Sequence, residues 1–300
     1  MDEQNRDKAT LVTQENDRLF RFLFEDIGVR GEMVSLDASW QAALSMHDYP
    51  EVVAEQLGQA LSASLLLSAT LKFKGSLILQ VQGDGPIKMM VAQSTDQQTV
   101  RGLAHWDDPV EPGDLQALFG GGRLVLTIKP DNGQSYQGIV ALEGDSLAAA
   151  IQSYFSQSEQ LNTRLWFAVD GQRAVGLMMQ ELPAKHGEKV DWERVELLAE
   201  TITDRELLEL PATEVIYRLF HEETVRLYDP EPVSFRCGCS REKLESSLIT
   251  LGRNELLVIL QEEGAIEVDC DFCNRHYHFD AIDVERLFVG DSVSAPLSRH

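Results

Sequence analysis

The stretch Cys237-Gly238-Cys239, read together with Cys270-Asp271-Phe272-Cys273, decides how the C-terminal part of this chain folds. These two pairs hold all four cysteines of its 300 residues. A hydrophobic core does not need thiols in close pairs, but a closed tetrahedral metal site does. Four thiolates about 2.3 Å from one ion require two short loops that each present two sulfurs. The C-x-x-C half has the form of a metal knuckle: a strand over Ile266-Glu267-Val268, a tight turn reaching Asn274, and a returning strand from His276 to Phe279. In the C-x-C half, an extended backbone points residues two apart to one side, and Gly238 permits a sharp bend. The expectation is one zinc ion held by Cys237, Cys239, Cys270 and Cys273. The same spacing allows a second chemistry, because each thiol has an oxidation partner beside it and can leave the metal as a local disulfide. A purely structural zinc site remains open on spacing alone. His276 and His278, which flank Tyr277, are the nearby substitute ligands and are left outside the expected set.

Composition narrows the function. Asp and Glu number 49 against 26 Lys and Arg, a net charge of −23. Nucleic-acid duplexes and anionic lipid surfaces select the opposite balance, so neither is expected as a partner. The first residues, MDEQNRDKATLVTQ, are polar and lack the apolar stretch of a secretion signal. The most apolar run, Leu61 to Leu71, is broken by Ser62, Ser64, Ser68 and Thr70 and is too short to span a bilayer. The expected location is a reducing cytoplasm, where zinc thiolates persist and a permanent disulfide framework does not.

Working outward from the cysteines, residues 1–182 read as a β-rich core domain with helices packed on one large sheet. Strands are expected over Leu19–Phe24, Val29–Leu36, Ser76–Gln82, Ile87–Ala92, Thr99–Trp106, Leu124–Ile128 and Tyr136–Leu142. Thr163–Val169 and Arg173–Glu181 form a hairpin about the turn dipeptide Asp170-Gly171. Pro50 suits the start of a long helix whose apolar positions include Val53, Leu57, Leu61 and Leu65. Shorter helices are expected over Trp40–Met46 and Ser146–Gln157. Gly120-Gly121-Gly122 precedes a strand and lacks a G-K-S/T ending, so it reads as a flexible turn and not a phosphate loop. From Pro183 the composition changes. Residues 183–232 read as a helical linker and hinge, with Trp192, Val195, Leu198, Ala199 and Ile202 on one helical face and Val215, Ile216, Leu219 and Phe220 on another. Tyr228-Asp229-Pro230-Glu231-Pro232 reads as its hinge. Residues 233–289 form a small zinc domain with four cysteine ligands and helices at Arg241–Leu251 and Arg253–Glu263, and 290–300 a disordered tail. The fold class is α+β.

The segments HEETVRLYDPEPVSFRCGCSREK (221–243) and IEVDCDFCNRHYHFDAIDVERLF (266–288) resemble the bacterial 33 kDa chaperonin family of redox-regulated heat-shock chaperones. Tyr154-Phe155-Ser156-Gln157-Ser158-Glu159-Gln160 is similar to the YF-x-QSEQ segment of that family's core domain. The resemblance implies a non-enzymatic, ATP-independent chaperone that holds unfolding proteins. It implies a reduced, zinc-bound, inactive form. Oxidation converts Cys237, Cys239, Cys270 and Cys273 to disulfides, zinc leaves, the C-terminal region unfolds, and the active form is a homodimer. Once the ion is gone, closing a C-x-x-C or C-x-C ring loses less chain entropy than closing the long loop between the halves. The expected bonds are therefore Cys237–Cys239 and Cys270–Cys273. Two other readings stay open: a thiol-disulfide oxidoreductase using C-x-x-C, and a structural zinc ribbon serving as an interaction module.

Overall fold

The computed structural model describes residues 17–71, 74–183 and 191–288. They fall into two compact units that divide between Arg236 and Cys237. The polar stretch after Pro183 and the C-terminal tail lie largely outside the described residues.

The first unit is built on two antiparallel hairpins from opposite ends of its sequence. Strands β1 (Arg18–Phe24) and β2 (Val29–Leu36) pair with each other, and β8 (Thr163–Val169) pairs with β9 (Ala174–Glu181). β2 and β9 then join the hairpins, with Met33 opposite Leu177 and Leu36 opposite Ala174. A second sheet contains β3 (Gly75–Gln82), β4 (Ile87–Thr95), β5 (Thr99–Trp106), β6 (Arg123–Pro130) and β7 (Tyr136–Ala141), in the order β5-β4-β3-β6-β7. The single large sheet expected from the strand pattern is thus two sheets. The cause lies in the long helix. A short helix α1 (Ala38–Leu44) precedes α2 (Glu51–Ala69), which starts directly after Pro50 and buries Val53, Leu57, Leu61, Leu65, Leu66 and Leu67. From Leu57 to Ser68 this helix is buried on nearly every side and so needs cover all round, and α2 packs on strands of both sheets. Its buried Ser64 hydroxyl turns back to the Leu61 carbonyl at 2.8 Å, and the Ser64 carbonyl accepts from Ser94 Oγ at 2.7 Å.

The outer face of the β1-β2-β9-β8 sheet carries a separate cluster. Phe20, Phe22, Phe24, Met33 and Leu177 meet Trp192, Val195, Val215, Leu219 and Phe220. The latter come from α5 (Trp192–Ala199) and α7 (Ala212–Phe220), with α6 (Asp204–Glu209) between them. The amphipathic faces read from the sequence therefore dock on a sheet. Phe220 stands edge-on to Phe24 at 4.9 Å between ring centroids.

Three local features differ from the sequence reading. The Asp170 turn spans four residues and not two. Asp170 N–H donates to the Arg173 carbonyl, and the Asp170 carboxylate accepts from the Gln172 and Arg173 amides. The expected helix over 146–157 is α4 (Leu147–Tyr154) followed by a π-turn (Phe155–Glu159) that ends on Gln160 in the left-handed conformation, φ 54°. The glycine run is a tightly packed turn that follows the short helix α3 (Leu115–Phe119). Gly120 has φ 66°, and a Cβ there would lie 2.1 Å from Asp84 Oδ1.

The hinge of the sequence reading is tied down in this structure. β10 (Val225–Leu227) and β11 (Glu231–Pro232) pair with β1, and β12 (Ser234–Phe235) runs parallel to β5. Val233 N–H donates to the Asp17 carbonyl at 2.7 Å and Arg236 N–H to that of Val100 at 3.0 Å. Glu231 pairs with Arg21 and accepts from Gln98 Nε2 at 3.1 Å.

The second unit holds α8 (Arg241–Leu251), α9 (Arg253–Glu263), the hairpin β13 (Ile266–Asp269) with β14 (His276–Phe279), and α10 (Ala281–Leu287). Both long helices match the expected spans. Its core is Leu248, Leu256, Ile266, Phe279 and Val284.

Candidate metal centre

The β13–β14 hairpin aims the C-x-x-C pair. Its register places Val268 opposite Tyr277 and Asp269 opposite His276, and the turn closes beyond them. Cys270 N–H donates to the Arg275 carbonyl at 3.0 Å. The Cys270 carbonyl accepts from Cys273 N–H at 3.1 Å and Asn274 N–H at 2.7 Å. Asn274 takes φ 51°, a left-handed conformation that asparagine tolerates better than most residues. The turn thus folds back on Cys270 and carries both sulfurs to one side.

The C-x-C pair leads into α8. Ser240 caps that helix, its hydroxyl accepting from the Lys243 amide, and Lys243 Nζ donates to the Gly238 carbonyl at 2.5 Å. Gly238 does not need its conformational freedom. Its φ is not in the left-handed region, and a Cβ there would meet Lys243 Nζ at an ordinary 3.4 Å. The bend expected of it is therefore absent, and the short spacing alone brings the two sulfurs together.

All four sulfurs lie within 4.8 Å of one another and are partly buried. Cys237 Sγ is 3.7 Å from Cys270 Sγ, and Cys239 Sγ is 3.5 Å from Cys273 Sγ. A disulfide would bring sulfurs to about 2.05 Å. A tetrahedron with metal–sulfur bonds of about 2.3 Å has edges of about 3.8 Å. The quartet is therefore able to hold a metal ion, and its all-thiolate donor set suits zinc.

The electrostatics point the same way. Burial pushes the Cys273 thiol up to about 12, and hydrogen bonds with the neighbouring thiols add to the rise. Cys270 is also raised, again first by burial. Thiols so placed resist ionising together. A divalent cation reverses that preference, since a coordinating thiol is held deprotonated.

Residues that spacing alone does not single out support the centre. Tyr277 Oη donates to Cys239 Sγ at 3.3 Å. Along β14 it is the partly buried residue between the exposed His276 and His278. Arg241 donates to the His278 carbonyl at 2.9 Å, pairs with Asp283 at 2.8 Å and stacks over Phe279 at 4.3 Å. It thereby ties α8 to the hairpin and to α10.

A family model described as "Hsp33 protein" matches residues 17–280. A 33 kDa chaperonin of Nitrosococcus oceani is 60% identical over 282 residues, covering 94% of this chain and 97% of its own. One from Vibrio cholerae is 45% identical over 93% of this chain and 98% of its own. The crystal structure of the 33 kDa chaperonin (Heat shock protein 33 homolog) from Thermotoga maritima superposes with a TM-score of 0.79 at 26% identity, covering 92% of this chain and 99% of that one. With a family match running from Asp17 to Asp280, through both cysteine pairs, and relatives at these identities, the chain belongs to the Hsp33 family.

Proposed function

We propose that the chain is an ATP-independent holdase whose client binding is set by the redox state of Cys237, Cys239, Cys270 and Cys273. As an Hsp33-family member the chain is a molecular chaperone, and redox regulation is consistent with the family and with its four cysteines. The observation that carries the reading is the sulfur quartet, spaced for a tetrahedral ion and formed from two pairs each able to close on itself.

In the reduced state the four sulfurs hold one Zn2+ per chain. When bound, the ion supplies charge that keeps the sulfurs as thiolates and a cross-link between the two loops. Oxidation removes two electrons from each pair. The two thiolates of a pair give up one electron each and form one S–S bond, and hydrogen peroxide, taking up the two electrons with two protons from solvent, leaves as two waters. Disulfide sulfurs are poor ligands, so the loops separate and residues 233–289 lose their staple. The linker, residues 183–232, then has reason to loosen from residues 1–182, exposing apolar surface such as Phe22, Phe24 and Phe220 to unfolding clients. The protein acts in the cytoplasm, without nucleic acid or membrane, and as a homodimer when oxidised.

A thiol-disulfide oxidoreductase is the rival reading. Such an enzyme needs a thiol whose pKa is lowered, whereas Cys270 and Cys273 sit in a hairpin turn and both are raised. The two readings separate in one experiment. Aggregation of a heat-denatured client is followed with reduced and peroxide-treated protein, and insulin reduction is measured in parallel. Suppression only after oxidation, without insulin turnover, is expected; turnover of insulin disulfides would overturn the chaperone reading.

A further inference from the structure

The outward face of the β13–β14 hairpin carries a second cluster of metal-ligating side chains. Glu267 and Asp269 are two apart on β13, and His276 and His278 two apart on β14, so all four stand on one face. The register sets Glu267 opposite His278 and Asp269 opposite His276. His278 Nδ1 lies 2.6 Å from Glu267 Oε1, His276 Nε2 lies 2.7 Å from Glu267 Oε2, and His276 Nδ1 lies 2.8 Å from Asp269 Oδ1. All four side chains are about half exposed or more, at 48 to 67%. The inward face of the same strands carries Val268 and Tyr277.

From this arrangement we infer that His276, His278 and Glu267 form a second, solvent-facing site for a first-row divalent transition ion, with Asp269 orienting His276. Asp269 engages Nδ1 of His276, which leaves Nε2 as the coordinating nitrogen. A carboxylate fixing the far nitrogen of a metal-bound histidine is a recurring support of such sites. Glu267 stands against that Nε2 and against His278 at once, so an ion replacing the shared protons has three donors. Imidazole with carboxylate suits zinc, nickel and copper better than calcium or magnesium. Bonds of 2.0–2.2 Å to a tetrahedral ion require donors about 3.4 Å apart. The 2.6 and 2.7 Å contacts of Glu267 with the two imidazoles are shorter than that, and each of its oxygens serves one histidine, so the exposed side chains must turn about their χ angles to bring all three donors to one ion. Because the donors come from both strands, the ion would clip the hairpin that carries Cys270 and Cys273 without using a thiolate. The inference does not rest on the chaperone reading.

The test is a calorimetric titration of the reduced, zinc-loaded full chain with Ni2+, with protein-bound zinc measured before and after. One further equivalent of Ni2+ is expected with zinc retained. The double variant His276→Gln/His278→Gln should bind it at least 30-fold more weakly at unchanged zinc content, and Asp269→Asn about 10- to 100-fold more weakly. Three results would overturn the site: no further uptake, as for a network that serves only as an ion pair; uptake undiminished in the double variant; or nickel gained only as zinc is lost.

Discussion

The two units are stabilised by different means. In the first, α2 lies between two sheets and a further apolar cluster covers the outer face of one of them. In the second, the core is Leu248, Leu256, Ile266, Phe279 and Val284, while Ile249, Leu251 and Val258 on its helices are exposed. Small domains bury too little apolar surface to offset chain entropy unaided, and a staple supplies what is missing. Under the proposed function the staple is an ion held by the sulfur quartet. A redox switch needs such an asymmetry: one unit that keeps its fold under oxidant, and one whose fold depends on groups the oxidant attacks.

The largest expected effect breaks the second unit alone. Cys273→Ser should abolish stoichiometric zinc binding in the reduced protein, and structural zinc in small metallo-peptides is worth about 10–16 kcal/mol. Two-dimensional NMR should then show collapsed dispersion for residues 237–288 and little change in the resonances of β2, β9 and α2. Coincident loss of both sets would show that the units do not fold independently.

A smaller effect sharpens the boundary within the first unit. Phe220→Ala removes a fully buried ring from against Phe22 and Phe24. Such truncations cost about 3–5 kcal/mol. The loss should fall on the docking of α5–α7, so the variant should suppress client aggregation at lower peroxide than the parent while its zinc content stays unchanged. An unaltered peroxide threshold would argue that these helices play no part in the switch.

Glu32 probes the self-sufficient unit by pH. It is buried in β2, and burial raises its pKa from 4.5 to about 7, against the pull of Arg30 and Arg21. The folded state therefore binds the proton more tightly than the unfolded chain. The stabilising contribution is complete below about pH 4.5 and is lost as pH rises toward 7, by about 3 kcal/mol. Glu32→Gln should flatten this part of the stability curve and raise the melting temperature at pH 8. An unchanged pH profile would place the Glu32 carboxylate in a solvated setting.

The smallest effect refines the staple. Tyr277→Phe deletes the hydroxyl that donates to Cys239. Losing a partner of this kind weakens metal affinity about tenfold, which a competitive chelator titration would read. Equal affinity would mean the hydroxyl contributes nothing to the centre.

Much of this was legible locally. The cysteine pairs announce the site because no ordinary packing requirement produces C-x-C and C-x-x-C. Alternation located the strands, and helical spacing located α8 and α9 at their observed ends. Long-range pairing was not legible. Nothing near Met33 specifies Leu177 as its neighbour, and nothing in Glu231-Pro232 shows that they add to the edge of β1. The division into two sheets follows from α2 being buried on nearly every side from Leu57 to Ser68, a run of apolar and small residues that shows burial but not what covers it. Glu32 looks like an ordinary strand glutamate, because its burial depends on partners distant in sequence. The Tyr154–Gln160 segment declared itself as a motif, but its π-turn did not.

The most direct test of the asymmetry is amide hydrogen exchange on the zinc-loaded reduced protein and on the peroxide-oxidised, zinc-free protein. Protection should be lost across 237–288 and across α5–α7 and the 225–236 segment on oxidation, while β2, β9, β3, β4 and α2 exchange as slowly as before. Equal protection of 191–288 in both states would contradict the account.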